Sequence, residues 1–138
     1  MPVVILLVDD DDAYTLLMPH AFEKAQVAVS LQFVGDGEQA IQYLRGDGKY
    51  ADRSRFPFPS LVLLDLKMPR INGFELLEWK REQPEMKSLP VVVWSSSELP
   101  ADIEKANSLG ACSYIVKSED LVGIAKRLQP FWNGSQIK

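Results

Sequence analysis

The sequence predicts an α/β protein: a five-stranded parallel sheet with helices on both faces. Three observations predict it. Short, β-branched apolar runs occur five times, and each is followed by a segment of helical length and pattern. Strands that alternate with helices in this way argue for parallel pairing through crossovers, which are right-handed. The run at 61–64, Leu-Val-Leu-Leu, is apolar at every position, as expected for a strand buried on both sides.

Each element follows from its own residues. Val3 to Val8 is an apolar run closed by Asp9, Asp10, Asp11 and Asp12. Ala13 to Ala25 reads as a helix with Leu16, Leu17 and Phe22 inward, and Pro19 within it is expected to weaken or kink it. Leu31 to Val34 alternates like a strand, and "GDGEQAIQYL" leads into a second helix. Residues 46–60 form a long polar connection punctuated by Gly and Pro. After the strand at 61–64, "NGFELLEWKRE" is the third helix. Val91 to Trp94 is the fourth strand, and Leu99 to Leu109 a helix stopped by Gly110. Ser113 to Val116 is the fifth strand, and Glu119 to Leu128 the last helix.

Composition narrows the function. A chain of 138 residues, with 46% hydrophobic and 25% charged residues, suits one domain with one core. A net charge of −4 argues against a broad basic surface for nucleic acid. The single Cys112 excludes an internal disulfide and fits a reducing compartment. Apolar runs fall short of membrane-spanning length, and the start "MPVVILLVDDDD" lacks a basic leader. The expectation is a cytoplasmic protein that contacts neither nucleic acid nor membrane.

The chemistry-bearing residues stand at the carboxyl ends of the strands, where open α/β sheets bind ligands. The first strand ends on Asp9 and Asp10, the third on Asp65, the fourth on Ser95 and the fifth on Lys117. Three converging carboxylates repel one another and call for a cation. All-oxygen donors favour Mg²⁺ or Mn²⁺. Ser95 offers a hydroxyl and Lys117 a point charge, so a carboxylate nucleophile, a metal and a cationic residue are assembled for phosphoryl transfer through an aspartyl-phosphate. Taken singly, each residue has a plainer explanation. Asp11 or Asp12 suits the N-terminus of the following helix, and a lone lysine is usually a solvated one. The joint pattern at successive strand ends is what carries the argument.

The stretches "ILLVDDDD", "LVLLDLKMPRINGFELL", "PVVVWSSSE" and "GACSYIVKS" together resemble the receiver domains of two-component response regulators, over about residues 3–129 of a single domain spanning 1–138. The resemblance implies a flavodoxin-like fold with strand order 2-1-3-4-5. It implies Asp65 as phosphoacceptor, Asp10 as a direct metal ligand, and Asp9 as a ligand acting mainly through water. Lys67 matches the position whose backbone carbonyl completes the metal site. Ser95 matches the switch hydroxyl, Tyr114 the switch aromatic and Lys117 the phosphate-pairing lysine. The long connection at 46–60, "VKS" and "FWNGS" are similar to stand-alone regulators of phytochrome-type sensor histidine kinases. Many receivers place a cis proline after the lysine; here Ser118 follows, for which a cis peptide costs several kcal/mol.

Two enzyme-like or redox alternatives fit less well. A haloacid dehalogenase-type phosphatase needs an acidic residue two positions after its nucleophile, where this chain has Lys67. A flavodoxin-like redox module needs a Ser/Thr/Gly phosphate loop after the first strand, where this chain has four aspartates. A receiver that no longer takes phosphate would lack site residues that are all present here. His20 has no relay context. The expected partners are a sensor histidine kinase or a phosphotransfer protein, and a downstream protein in place of a DNA-binding domain. A two-fold homodimer through the fourth helix, fifth strand and last helix is the candidate output surface, with Val122, Phe131 and Trp132 as its apolar residues. Met68, Trp79, Trp94 and Trp132 read as packing or interface residues.

Overall fold

The computed structural model describes residues 3–68 and 70–137, with side chains through Trp132. Strands β1 (Val4–Val8), β2 (Ser30–Val34), β3 (Leu61–Leu64), β4 (Val91–Ser95) and β5 (Ser113–Val116) form one sheet in the order β2-β1-β3-β4-β5. Every neighbouring pair is parallel. Helices α1 (Tyr14–Lys24), α2 (Gly37–Arg45), α3 (Gly73–Arg81) and α4 (Pro100–Ser108) supply the four crossovers, and α5 (Leu121–Ile137) follows the last strand. This is the flavodoxin-like order expected from the sequence.

The pleat divides the core in two. Ile5, Leu7, Leu61, Leu63, Val92 and Trp94 face α1 and α5, where they meet Met18, Phe22, Ile124, Ala125, Leu128 and Trp132. Leu6, Val8, Val62, Leu64, Val91 and Val93 face the opposite way, against Ala40, Tyr43 and Leu44 of α2, Leu76 and Leu77 of α3 and Ala106 of α4. The three central strands are buried on both sides, which is why they carry no polar residue until their carboxyl ends.

Local chemistry sets the helix boundaries. Asn72 and Glu75 form a reciprocal capping box at the start of α3. Asp36 caps α2 by accepting the Gln39 N–H at 2.8 Å, and its other oxygen takes the Arg70 guanidinium at 2.7 Å. Gly110 follows α4 with φ +102°, a backbone conformation that glycine adopts without a Cβ clash.

The inward face of α1, the end of the last helix and the apolar patch at its end need correction. Leu16 and Leu17 are 80% and 48% exposed, not inward. The inward stripe of α1 is Tyr14, Met18, Ala21, Phe22 and Ala25, spaced by three and four residues, and Leu16 and Leu17 fall off it. The helix runs through Pro19 as one segment. The last helix, expected at 119–128, is Leu121–Ile137. Its longer run places Trp132 one turn beyond Leu128 on the same stripe. Trp132 is 4% exposed and Phe131 packs partly against the same core, so the two do not form the free apolar patch expected for a dimer. Lys138 lies outside the described residues. The connection at 46–60 is also not plain loop: Gly48–Ala51 makes a 3-10 turn, and Arg53 donates to the carbonyls of Tyr43, Leu44 and Phe56, tying the connection to the end of α2.

Candidate functional site

The carboxyl ends of β1, β3, β4 and β5 meet at one edge of the sheet. Asp9 follows Val8, and Asp65 follows Leu64, with Val8 and Leu64 paired in register. Ser95 closes β4 opposite Val116, which places Lys117 immediately beyond it, and the Lys117 N–H donates to the Ser95 carbonyl at 2.7 Å. The fold therefore gathers residues from positions 9 to 117 without any long loop having to carry them.

Asp9 and Asp65 are 8% and 5% exposed, whereas Asp10 lies at the surface. One carboxylate oxygen from each of Asp9, Asp10 and Asp65 lies within 4.8 Å of the others. Close, all-oxygen and anionic, this donor set fits a hard divalent cation. The Lys117 ammonium stands 2.9 Å from Asp9 Oδ2 and 3.6 Å from Asp65 Oδ2. Burial pushes the Asp65 carboxyl up to about 6; Lys117 opposes that rise, Asp9 and Asp10 add to it, and the Lys67 N–H, 3.4 Å from Oδ1, counters it. Burial also works against the Lys117 ammonium, but the hydrogen bond to Asp9 and the charges of Asp65 and Asp9 outweigh it, and its pKa stands above the ordinary lysine value. Lys117 is thus held charged beside a carboxylate that ionises reluctantly.

Gly73 lets the start of α3 approach this edge. A Cβ there would meet the Asp65 carbonyl oxygen at 2.6 Å and Leu66 Cα at 2.8 Å. Lys67 itself is exposed.

This arrangement, an acidic trio with one ammonium at the carboxyl edge of a 2-1-3-4-5 sheet, has a match by family model: residues 5–129 fit the response regulator receiver domain. The chain belongs to the response regulator receiver family. Among its relatives, Response regulator Rcp1 of Synechocystis is 33% identical over 134 residues, covering 95% of this chain and 89% of that protein. A probable methanogenesis regulatory protein of Methanothrix harundinacea is 32% identical over 139 residues, covering 96% and 85%. The crystal structure of the phosphorylated cyanobacterial phytochrome response regulator RcpA superposes with a TM-score of 0.84 at 35% identity, covering 98% of this chain and 96% of that one. A Mn²⁺-bound form of Rcp1 superposes with a TM-score of 0.81 at 32% identity, covering 95% and 94%. This receiver is therefore similar to phytochrome response regulators over nearly its whole length.

The two residues expected to form a switch are linked by a third that the sequence did not single out. Ser95 is fully buried, and its Oγ accepts the Ser97 N–H at 3.1 Å. The Ser97 carbonyl accepts the Tyr114 hydroxyl at 2.8 Å, while Ser97 Oγ donates to Asp102 of α4 at 2.5 Å. One short segment thus joins the end of β4 to β5 and α4. Among the described residues there is no cis peptide bond, so the backbone after Lys117 continues trans into Ser118.

Trp94 was read from the sequence as packing, and it is that and more. Its indole N–H donates to Asp9 Oδ2 at 3.1 Å. The Lys117 ammonium lies 4.9 Å from the Trp94 ring and 5.2 Å from that of Tyr14, and the two rings meet edge to face at 4.7 Å. The signal available in the sequence was parity. Ile5 and Leu7 point toward α1 and α5, so Asp9 does too, and Val92 puts Trp94 on that same side.

Asp11 accepts the Ala13 N–H at 3.0 Å just ahead of α1, but the N-cap is Ala13 itself, without a side-chain cap, so neither Asp11 nor Asp12 caps the helix as expected. Cys112 is an exposed free thiol remote in role from this site. No helix among the described residues is long and apolar enough to cross a membrane.

Proposed function

We propose that this receiver accepts a phosphoryl group on Asp65 from the phosphohistidine of a sensor histidine kinase, or of a phosphotransfer protein, with Mg²⁺ or Mn²⁺ held by Asp9, Asp10 and Asp65 and by the Lys67 carbonyl. The observation that carries this reading is the juxtaposition of buried Asp65 with the Lys117 ammonium at 3.6 Å and with two further carboxylates. An ionised Asp65 oxygen attacks phosphorus as the N–P bond breaks, and the electron pair of that bond stays on the histidine nitrogen. A bound divalent cation supplies positive charge against which the carboxylates and the incoming phosphoryl oxygens can approach. Lys117 supplies the second positive charge, Ser95 the hydroxyl donor, and Tyr114 responds through Ser97.

The protein acts as a signalling acceptor rather than as a turnover enzyme, and it works in the cytoplasm. The kinase partner is of the phytochrome type, a reading supported by the likeness to RcpA and Rcp1. Output passes through an altered surface of α4, β5 and α5, offered to a downstream protein or to a second copy of the chain.

Purified protein treated with acetyl phosphate and Mg²⁺ should gain one phosphoryl group, mapped by mass spectrometry to Asp65. Asp65→Asn should not be labelled. Undiminished labelling of that variant, or equal labelling in excess chelator, would overturn the assignment.

A further inference from the structure

We propose that Trp94 is a positioning residue of the phosphorylated state: its indole N–H keeps Asp9 hydrogen-bonded when Lys117 leaves Asp9 for the phosphoryl group. The proposal rests on the reading of Asp65 as phosphoacceptor.

Both carboxylate oxygens of Asp9 accept hydrogen bonds. Oδ1 takes the Asp11 N–H at 2.9 Å. Oδ2 takes two donors, Lys117 Nζ at 2.9 Å and Trp94 Nε1 at 3.1 Å. Asp9 is 8% exposed and Trp94 has no exposed surface, so water does not readily stand in for either donor. The two donors differ in freedom. Lys117 rides on a flexible stem, and its ammonium already lies 3.6 Å from Asp65, so a small swing brings it to a group attached there. The indole is fixed by the core on one side and by the Tyr14 ring at 4.7 Å on the other. It cannot follow.

The consequence is an asymmetry between the two states. In the unmodified protein either donor alone still satisfies Oδ2. Once Lys117 turns to the phosphoryl oxygens, the indole N–H is the donor that remains. Without it, Oδ2 would lose both of its protein donors and rest on the metal alone, an arrangement that would hold Lys117 back on Asp9. The aromatic pair also holds the ammonium near both carboxylates by cation–π contact. Phenylalanine at position 94 would keep a ring there but lose the N–H.

The test compares Trp94→Phe with the wild type by calorimetric titration of beryllofluoride, the phosphoryl mimic, at saturating Mg²⁺. The expected result is beryllofluoride affinity about tenfold weaker in the variant, the order expected for one lost hydrogen bond to a charged group, with Mg²⁺ affinity alone changed less than threefold. Equal beryllofluoride affinity in the two proteins would overturn the inference, as would a parallel loss of both affinities, which a merely structural role would produce. Failure of the wild type to bind beryllofluoride would instead strike the reading of Asp65. A measurement on the wild type decides the matter if the variant does not fold. In a spectrum of the indole N–H groups, the Trp94 proton should move downfield on adding beryllofluoride, as it becomes the remaining donor to Oδ2. A Trp94 signal that stays in place would refute the proposal.

Discussion

Replacing Asp65, the proposed phosphoacceptor, should make the metal-free protein more stable. Asp65 is 5% exposed, and its pKa rises from 3.8 to about 6 because burial and the neighbouring Asp9 and Asp10 outweigh the help from Lys117 and the Lys67 N–H. The sign follows from linkage. Well below pH 3.8 Asp65 is protonated in both folded and unfolded chains, and it contributes no difference. As pH rises, the unfolded chain releases this proton first, near 3.8, while the folded chain holds it until about 6. Stability therefore falls across that interval, by about 3 kcal/mol once the pH is well above 6. Asp65→Asn has nearly the same volume and cannot ionise. Lys117 retains Asp9 as a partner at 2.9 Å, so the substitution does not strand the ammonium.

In chelator at pH 7.5 the variant should exceed the wild type by about 3 kcal/mol, or roughly 10 °C in Tm for a chain of this length. The gap should close toward pH 4. It should also shrink when Mg²⁺ is added, because the metal stabilises the folded wild type more than the variant. Urea unfolding at a series of pH values, with chelator and with Mg²⁺, measures all three. A variant less stable than the wild type at pH 7.5 without metal would refute the reasoning, as would a gap independent of pH.

Other expectations are more direct. Asp10→Asn, at the exposed member of the trio, should weaken Mg²⁺ binding at least tenfold in a calorimetric titration, with thermal stability little changed. Ser95→Ala removes the acceptor of the Ser97 N–H and the donor to the phosphoryl group; it should still be labelled at Asp65, but NMR shifts at Tyr114 and in α4 should respond to beryllofluoride much less than in the wild type. Trp132→Ala should cost about 3–5 kcal/mol in urea unfolding, the scale for truncating a buried aromatic, because Trp132 is part of the α1–α5 core. If α4, β5 and α5 form a dimer surface, light scattering should show a mass that rises with beryllofluoride at concentrations well above micromolar; a monomer in both states rules that dimer out.

What the sequence revealed and what it hid have a common physical origin. Asp9, Asp10, Asp65, Ser95 and Lys117 were legible because each interrupts an apolar strand at its carboxyl end, and the topology of a parallel sheet brings such ends together. Trp94 belongs to an apolar run and is buried like its neighbours, so its polar edge shows only when β4 and β1 are laid in register across β3. Leu16 and Leu17 were misplaced because a helix face is set by the phase of the stripe, and that phase is fixed by Tyr14 docking on Trp94 rather than by hydrophobicity alone. Trp132 was misplaced because the last helix was expected to stop at Leu128, yet it continues through Pro130 and carries the indole onto the core stripe. Arg53 looked like one more charge in a polar connection; its three carbonyl partners are far away in sequence only for Tyr43 and Leu44, and no spacing rule connects them.

The balance of charge at the site explains why phosphorylation should move β4 in particular. Asp9, Asp10 and Asp65 carry three negative charges when ionised, and Lys117 one positive charge, leaving a deficit that a single divalent cation cancels. A phosphoryl group on Asp65 replaces one negative charge with about two, so the edge becomes anionic again while Asp9 and Asp65 remain largely cut off from water. New donors are then needed at the phosphoryl oxygens. Lys117 is one, and it lies close enough to turn. Ser95 is the hydroxyl at the end of the adjacent strand, fully buried, with its oxygen already bonded to the Ser97 N–H. If its O–H turns toward the phosphoryl group, Ser97 is drawn with it, and Ser97 carries the bonds to Tyr114 and Asp102. In the proposed mechanism the excess negative charge at Asp65 would thereby be converted into a displacement on the α4–β5 side, because the residue that must answer the charge is the same one that anchors that surface.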